Sequence, residues 1–167
     1  MTRLRHYLAA IACLPLLAML AGCPTTGSTD PSSINFRVPS GSKLVLNREV
    51  RIGAEYSHAK FQNGEQTPGV DQYTVNCNLE QRDLGPATIV PDSFLITRDA
   101  NQRVWINQPH TMSFYKVFQL RSERQPGVTK LVCQYWDGPL FGRPVTVAQI
   151  RQALGDIFSF EFAATAP

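Results

Sequence analysis

The chain has 167 residues, with 16 Lys and Arg against 13 Asp and Glu. Two of the basic residues, Arg3 and Arg5, stand at the extreme N-terminus, and residues 23–167 carry 14 basic and 13 acidic side chains. Because basic and acidic residues are nearly equal in number, there is no electrostatic reason to expect binding to nucleic acid. The length suits one domain.

The N-terminal segment has the three parts of an export signal. Arg3 and Arg5 precede an apolar run over 7–20, and two small residues, Ala21 and Gly22, follow it. The run is shorter than the roughly 20 residues that cross a bilayer comfortably. This order predicts a secretory signal peptide over residues 1–22.

The segment Leu20-Ala21-Gly22-Cys23 resembles the lipobox of bacterial lipoproteins at all of its positions. The resemblance implies that a diacylglycerol is attached to the sulfur of Cys23, that the chain is cut before this residue, and that the new amino group is acylated. Pro24 follows where the retention signal of the inner membrane would have Asp, so we expect the periplasmic face of the outer membrane. The alternative is an ordinary signal peptide or a membrane helix that contains a cysteine.

Residues 23–33 are rich in Pro, Thr, Gly and Ser and contain no aromatic residue, which predicts a flexible tether. From Ile34 onward, apolar and polar residues alternate, as in half-buried strands. The clearest segment is 72–80, where Tyr73, Val75, Cys77 and Leu79 form the apolar set, and Lys116 is the single interruption of the set at 112–120. Further strands are expected over 43–47, 49–52, 57–62, 94–98, 131–135 and 158–162.

Turn signals such as Asn63-Gly64 separate these segments. Near the C-terminus, Thr146 and Gln149 form a capping box and Gly155 follows, which predicts a short helix over 147–154. Residues 34–167 are therefore expected to form one mainly β domain, either an antiparallel β-sandwich or a small barrel, with one short C-terminal helix.

Two cysteines, Cys77 and Cys133, remain once Cys13 is removed with the signal and Cys23 is alkylated. Both lie on the apolar side of their expected strands. In an oxidising compartment such a pair indicates one disulfide, and two free buried thiols are the alternative.

A second resemblance covers most of the domain. The segments 41–52, 71–77 and 148–161, with Cys133-Gln134 and Trp136, look like an uncharacterised family of proteobacterial lipoproteins. The resemblance implies no activity.

Motifs that carry chemistry are missing from the sequence. His58 and His110 stand apart without metal-ligand spacing, and neither a GxSxG elbow nor a phosphate-binding glycine loop occurs. We therefore expect no catalytic residue, no metal and no cofactor. Two alternatives stay open: an envelope hydrolase whose site is assembled in space, and a carrier of a lipid or other apolar ligand with an empty cavity.

One loop is a candidate binding surface. Tyr135 and Trp136 precede a segment rich in Gly and Pro that contains Phe141 and Arg143. Aromatic residues and arginines are typical anchors of binding surfaces. The alternative is that Trp136 and Phe141 fold back onto the edge of the sheet and seal the core. The sequence thus favours a lipid-anchored, non-catalytic binding or accessory module with an envelope protein as its partner.

Overall fold

The computed structural model describes residues 27–164, so the signal segment and Cys23 lie outside the described residues. This part of the chain forms one α-helix, α1 (Val147–Leu154), and ten β-strands. The strands are β1 (Lys43–Leu46), β2 (Val50–Ile52), β3 (His58–Gln62), β4 (Glu65–Thr67), β5 (Asn76–Gln81), β6 (Ala87–Ile89), β7 (Asp92–Asn107), β8 (Thr111–Arg121), β9 (Val128–Asp137) and β10 (Phe158–Glu161).

Eight strands form one antiparallel sheet in the order β10-β1-β7-β8-β9-β5-β3-β4, and β2 pairs with β6 beside it. The large sheet curls into a half-barrel, and α1 packs against β5 and β3. The expectation of a mainly β domain with one short C-terminal helix is confirmed. The curled sheet corresponds to the barrel alternative, left open rather than closed.

The core lies on one side of this sheet, which we call the core face. Alternation along each strand sends every second side chain to it, and the central positions are fully buried. Phe61, Phe94, Phe118 and Leu131 lie there, and α1 covers them with Ile150 and Leu154.

The helix α1 matches its expected bounds because both of its ends are determined locally. The Thr146 hydroxyl accepts the Gln149 N–H, and the Gln149 side chain accepts the Thr146 N–H. Asn63 and Gly64, both with positive φ, turn β3 into β4 as a tight hairpin. Gly64 then donates its N–H to the carbonyl of Ala153 at 3.0 Å, which joins this hairpin to α1.

The strand expected over 72–80 begins only at Asn76. Before it, the Asp71 carboxylate accepts the Tyr73 N–H at 3.0 Å and the Thr74 hydroxyl at 2.9 Å, which holds a turn. Tyr73 consequently lies on the surface with 66% of its area exposed, and its expected place on the apolar face was wrong.

The β7–β8 hairpin is much longer than expected, and its outer strand β7 extends well beyond its neighbour β1. The sequence indicated 94–98 for the first strand, whereas β7 runs to Asn107. Its outer edge pairs with β1 only over Asp92–Leu95, and beyond this point no strand within residues 27–164 covers it. The ladder with β8 shifts register near Ile96–Arg98 and near Trp105–Asn107.

The described part of the expected tether makes contacts with the domain. Ser28 forms a bridge with Phe36, and the Pro31 carbonyl accepts the Ala148 N–H at 3.1 Å. Ordered structure therefore begins before Ile34, the residue at which the sequence indicated the start of the domain. Within residues 27–164, no helix is long and apolar enough to cross a membrane.

Candidate functional site

The two cysteines meet at the centre of the sheet. Cys77 on β5 and Cys133 on β9 are direct partners in the ladder, and their sulfur atoms are joined, with Cα atoms 4.0 Å apart. Both side chains are fully buried on the core face. Such a pair crosslinks neighbouring strands and offers no exposed thiol for chemistry.

The candidate binding loop follows β9 and is held by local hydrogen bonds. Gly138 accepts from the N–H groups of Phe141 and Gly142 at 3.1 and 2.9 Å, which closes a tight turn. The Tyr135 hydroxyl accepts the Arg143 N–H at 2.8 Å and donates to the Arg143 carbonyl at 3.0 Å. Both ends of the loop are thereby fixed to the sheet.

The loop also packs closely over the core face. The Tyr135 ring stacks on Phe114 with ring centroids 5.7 Å apart, and the backbone of Gly142 lies directly against the Phe114 ring. A Cβ atom at position 142 would collide with that ring. Because the loop is fixed in this way, its exposed side chains have a defined position.

The four residues expected to form one binding surface are divided by the strand. Tyr135 points to the core face, whereas Trp136 points to the opposite face and packs edge-on against Tyr73 with centroids 6.0 Å apart. Arg143 is exposed, and Phe141 has 77% of its area exposed. Of the two residues in the folding-back alternative, Trp136 packs onto the sheet through Tyr73, whereas Phe141 does not fold back and is exposed together with Arg143.

Sequence reasoning missed a second group of exposed apolar residues beside this loop. Val104, Trp105 and Ile106 at the end of β7 are 50%, 41% and 43% exposed, and Leu140 is 84% exposed. The two segments are neighbours because Met112 on β8 pairs with both Trp105 and Asp137. Three successive apolar residues after the mainly polar stretch 97–103 were the available signal. We call Val104, Trp105, Ile106, Leu140 and Phe141 the apolar tip.

A buried charge lies on the core face behind the apolar tip. The Lys116 ammonium is 3.2 Å from the Asp99 carboxylate and 3.3 Å from the Asn101 amide oxygen, with only 2% of the side chain exposed. Burial lowers the pKa of Lys116, Asp99 acts to raise it, and Arg37 nearby lowers it further. The pair is closed off from solvent, as expected for a structural ion pair.

A large surface depression lies at the other end of the strands. It is an open groove of about 750 Å³ whose lining includes His58, Glu49, Arg51, Tyr56 and Lys60. The Glu49 carboxylate is bound to Arg51 at 3.0 Å, and His58 contacts the Tyr56 ring edge-on. The structure shows no hydrogen bond between His58 and a carboxylate, which a general base of a hydrolase would need.

The second histidine does not approach this groove. His110 sits in the turn between β7 and β8, where its N–H donates to the Asn107 carbonyl at 2.8 Å. Within residues 27–164, no three His, Cys, Asp or Glu side chains converge as metal ligands. The two histidines considered in the sequence thus lie in separate parts of the described fold.

No protein-family model matches the chain, and neither the curated proteins nor the solved structures include a significant match.

Proposed function

We propose that the protein is a lipoprotein held by acyl chains on Cys23 at the periplasmic face of the outer membrane, and that its β domain is a non-catalytic binding module of the cell envelope. The lipobox at residues 20–23 and Pro24 support the anchor. Two or three acyl chains make such an anchor stable where a single chain would be marginal.

The observation that carries the binding role is the fixed loop after β9. Leu140 and Phe141 are 84% and 77% exposed, although the turn at Gly138 and the two hydrogen bonds of Tyr135 hold the backbone beneath them. Large apolar side chains on a fixed loop lose little conformational freedom on binding, which is the property of an anchor residue.

The two alternative functions receive less support from the described residues. A hydrolase would need a base with a hydrogen-bonded partner, and the groove at His58 contains none. A carrier of apolar ligands would need an empty apolar interior, whereas buried phenylalanines and leucines occupy the core face of the curled sheet.

The anchor is tested by replacing the residue that would carry it. Cys23→Ser removes the sulfur that would accept the diacylglycerol, so the variant should carry no acyl chain and should keep residues 1–22. Mass spectrometry of the wild-type N-terminus should find acylated Cys23 as the first residue. A wild-type protein that is soluble, or that retains residues 1–22, would refute the anchor.

The binding role is tested in intact cells with a photoreactive phenylalanine at position 141. The matched control carries the same residue at position 84, since Leu84 is 68% exposed in the turn after β5. We expect one recurrent adduct with an envelope component from position 141 and none from position 84. Equal labelling from both positions would argue against a binding surface at the loop.

A further inference from the structure

We infer that the apolar tip is a membrane-docking surface that inserts at the boundary between the head groups and the acyl chains of a bilayer containing anionic phospholipid. This inference rests on the proposed anchor, and it names the partner of the exposed loop. Three observations carry it: the shape of the tip, the charges around it and the short segment between Cys23 and the described domain.

The tip has the shape of a wedge and not of a pocket. Val104 and Trp105 point to opposite faces of β7, because their partners Ser113 and Met112 do so on β8. Leu140 and Phe141 extend from the adjoining loop, three and four residues beyond Asp137 at the end of β9. A bilayer can cover the apolar side chains on both faces of a strand end at once, because the whole end can be immersed in it.

The charges around the tip match an anionic surface. Arg103 and Arg143 are both exposed and flank the apolar residues, and no acidic residue occurs at 100–112 or 138–150. The nearest carboxylate, Asp137, is half-buried and accepts the Gly138 N–H at 2.7 Å. Arginine side chains beside a Trp and a Phe are the usual composition of a segment at the membrane interface.

Ile34, seven residues after the start of the described chain at Gly27, shares a surface depression with Arg103 and Arg143 beside the tip. Gly27 itself lines another depression, together with Val38 and Phe162. Only residues 24–26 separate Cys23 from Gly27, so the Cα atoms of Cys23 and Gly27 are at most about 14 Å apart. An anchor on Cys23 would therefore hold the domain near the bilayer and raise the local concentration of the tip there.

The experiment uses fluorescence of the full-length protein, purified with whatever N-terminus the cell produces and bound to vesicles of phosphatidylethanolamine and phosphatidylglycerol. The chain has two tryptophans, so Trp136→Phe leaves Trp105 as the single reporter. Brominated acyl chains in the vesicles should quench Trp105 about twofold or more, with a blue shift, because the ring would lie at the depth of the upper acyl chains.

The control places the reporter at the opposite end of the strands. Leu84→Trp in a protein with Trp105→Phe and Trp136→Phe should show no quenching. Gln81 beside that turn pairs with Val128 at the start of β9, far from the tip. Arg103→Glu with Arg143→Glu should reduce the quenching of Trp105 on vesicles with phosphatidylglycerol. Quenching equal at positions 84 and 105, or absent at 105, would overturn the docking surface.

The photoreactive residue at position 141 gives a second measurement, which can be made even if the tryptophan variants do not fold. A phospholipid adduct supports docking on the bilayer, and an adduct with a protein overturns it in favour of a protein partner. The mass of the N-terminus decides the anchor separately. Acylated Cys23 without quenching of Trp105 would support the anchor and overturn the docking surface. Quenching of Trp105 without acylation would support the docking surface and overturn the anchor.

Discussion

Lys116 is the residue at which the alternation of β8 is broken, and its surroundings explain why the break is tolerated. The neighbouring positions Phe114 and Phe118 on the same face are apolar and buried. Asp99 and Asn101 on β7 supply oxygen atoms at 3.2 and 3.3 Å, which compensate the ammonium for the loss of water.

Removing one partner of this pair should be costly. Asp99→Asn leaves the Lys116 ammonium buried without its counter-charge, so we expect a loss of about 3 kcal/mol in the free energy of unfolding. Denaturant titration measures it. In the control Glu49→Gln, which breaks the exposed pair with Arg51, the loss should stay within about 0.5 kcal/mol. Equal effects would show that the buried pair has no special role.

The same residue should make stability depend on pH at alkaline values. Burial is the main cause that lowers the pKa of Lys116 in the folded protein, so the unfolded chain binds the proton more tightly. Stability should therefore rise with pH between the folded pKa and the unfolded value of about 10.4. Unfolding of the wild type and of Lys116→Met is compared from pH 7 upward. A wild-type advantage that shrinks as the pH rises would contradict the expectation.

At the scale of single residues, the sequence predicted only part of what the structure shows. The alternation placed Lys116 on the apolar face of a strand, but Asp99 stood in a polar segment where no strand was expected. The sequence analysis grouped Tyr135 and Trp136 in one surface, although neighbouring residues on a strand point to opposite faces. The exposure of Phe141 depends on where the loop crosses Phe114, which no local pattern reveals.

At the scale of elements, the contact between α1 and the β3–β4 hairpin depends on two glycines. Gly155 ends α1 with φ +58°, and a Cβ atom there would lie 2.6 Å from the Cα of Gly64. Gly64 itself has φ +84° and donates to Ala153. The close approach of two backbones is what brings the helix onto the sheet.

Gly155→Ala should therefore destabilise the domain by about 3 kcal/mol, because the side chain meets a disfavoured φ and the backbone of Gly64 together. The midpoint of thermal unfolding measures the effect. Gly127→Ala is the control, since open space surrounds that position, and it should change stability by less than about 0.5 kcal/mol. Similar midpoints for both variants would contradict the role of the contact.

Elements whose signals are local could be predicted, and the others could not. The capping box and Gly155 determine both ends of α1 within a few residues of the sequence. β4 and β6 have three residues each, too few for a period to be recognised. The outer part of β7 is exposed on both faces, so it lacks the alternation that identifies a half-buried strand.

At the scale of the molecule, the bond between Cys77 and Cys133 joins strands that are 56 residues apart in the chain. The loop closed by this bond restricts the conformations of the unfolded chain, which raises the free energy of unfolding. The fold class followed from the period of two and from the turn signals between the short strands, and the apolar positions of both cysteines made their pairing plausible. The order of the strands in the sheet depends on long-range pairing, and the sequence left it open.

The disulfide leads to a test on protein isolated from the envelope. Thiol labelling of the unfolded, unreduced protein should find neither Cys77 nor Cys133 free, and Cys77→Ala with Cys133→Ala should lower the free energy of unfolding by up to about 4 kcal/mol. The reduced wild type is the control and should match the double variant. Stoichiometric labelling of both thiols would show that the bond is absent.

The open edge of β7 has a consequence for self-association. From Arg98 to Asn107 it presents backbone N–H and C=O groups that could recruit a strand from another chain, the first step of edge-to-edge aggregation. The register shifts near Ile96–Arg98 and Trp105–Asn107 bend the edge, and Arg98 and Arg103 add repulsion between copies. A long hairpin can thus remain exposed in a crowded compartment without becoming a template for fibrils.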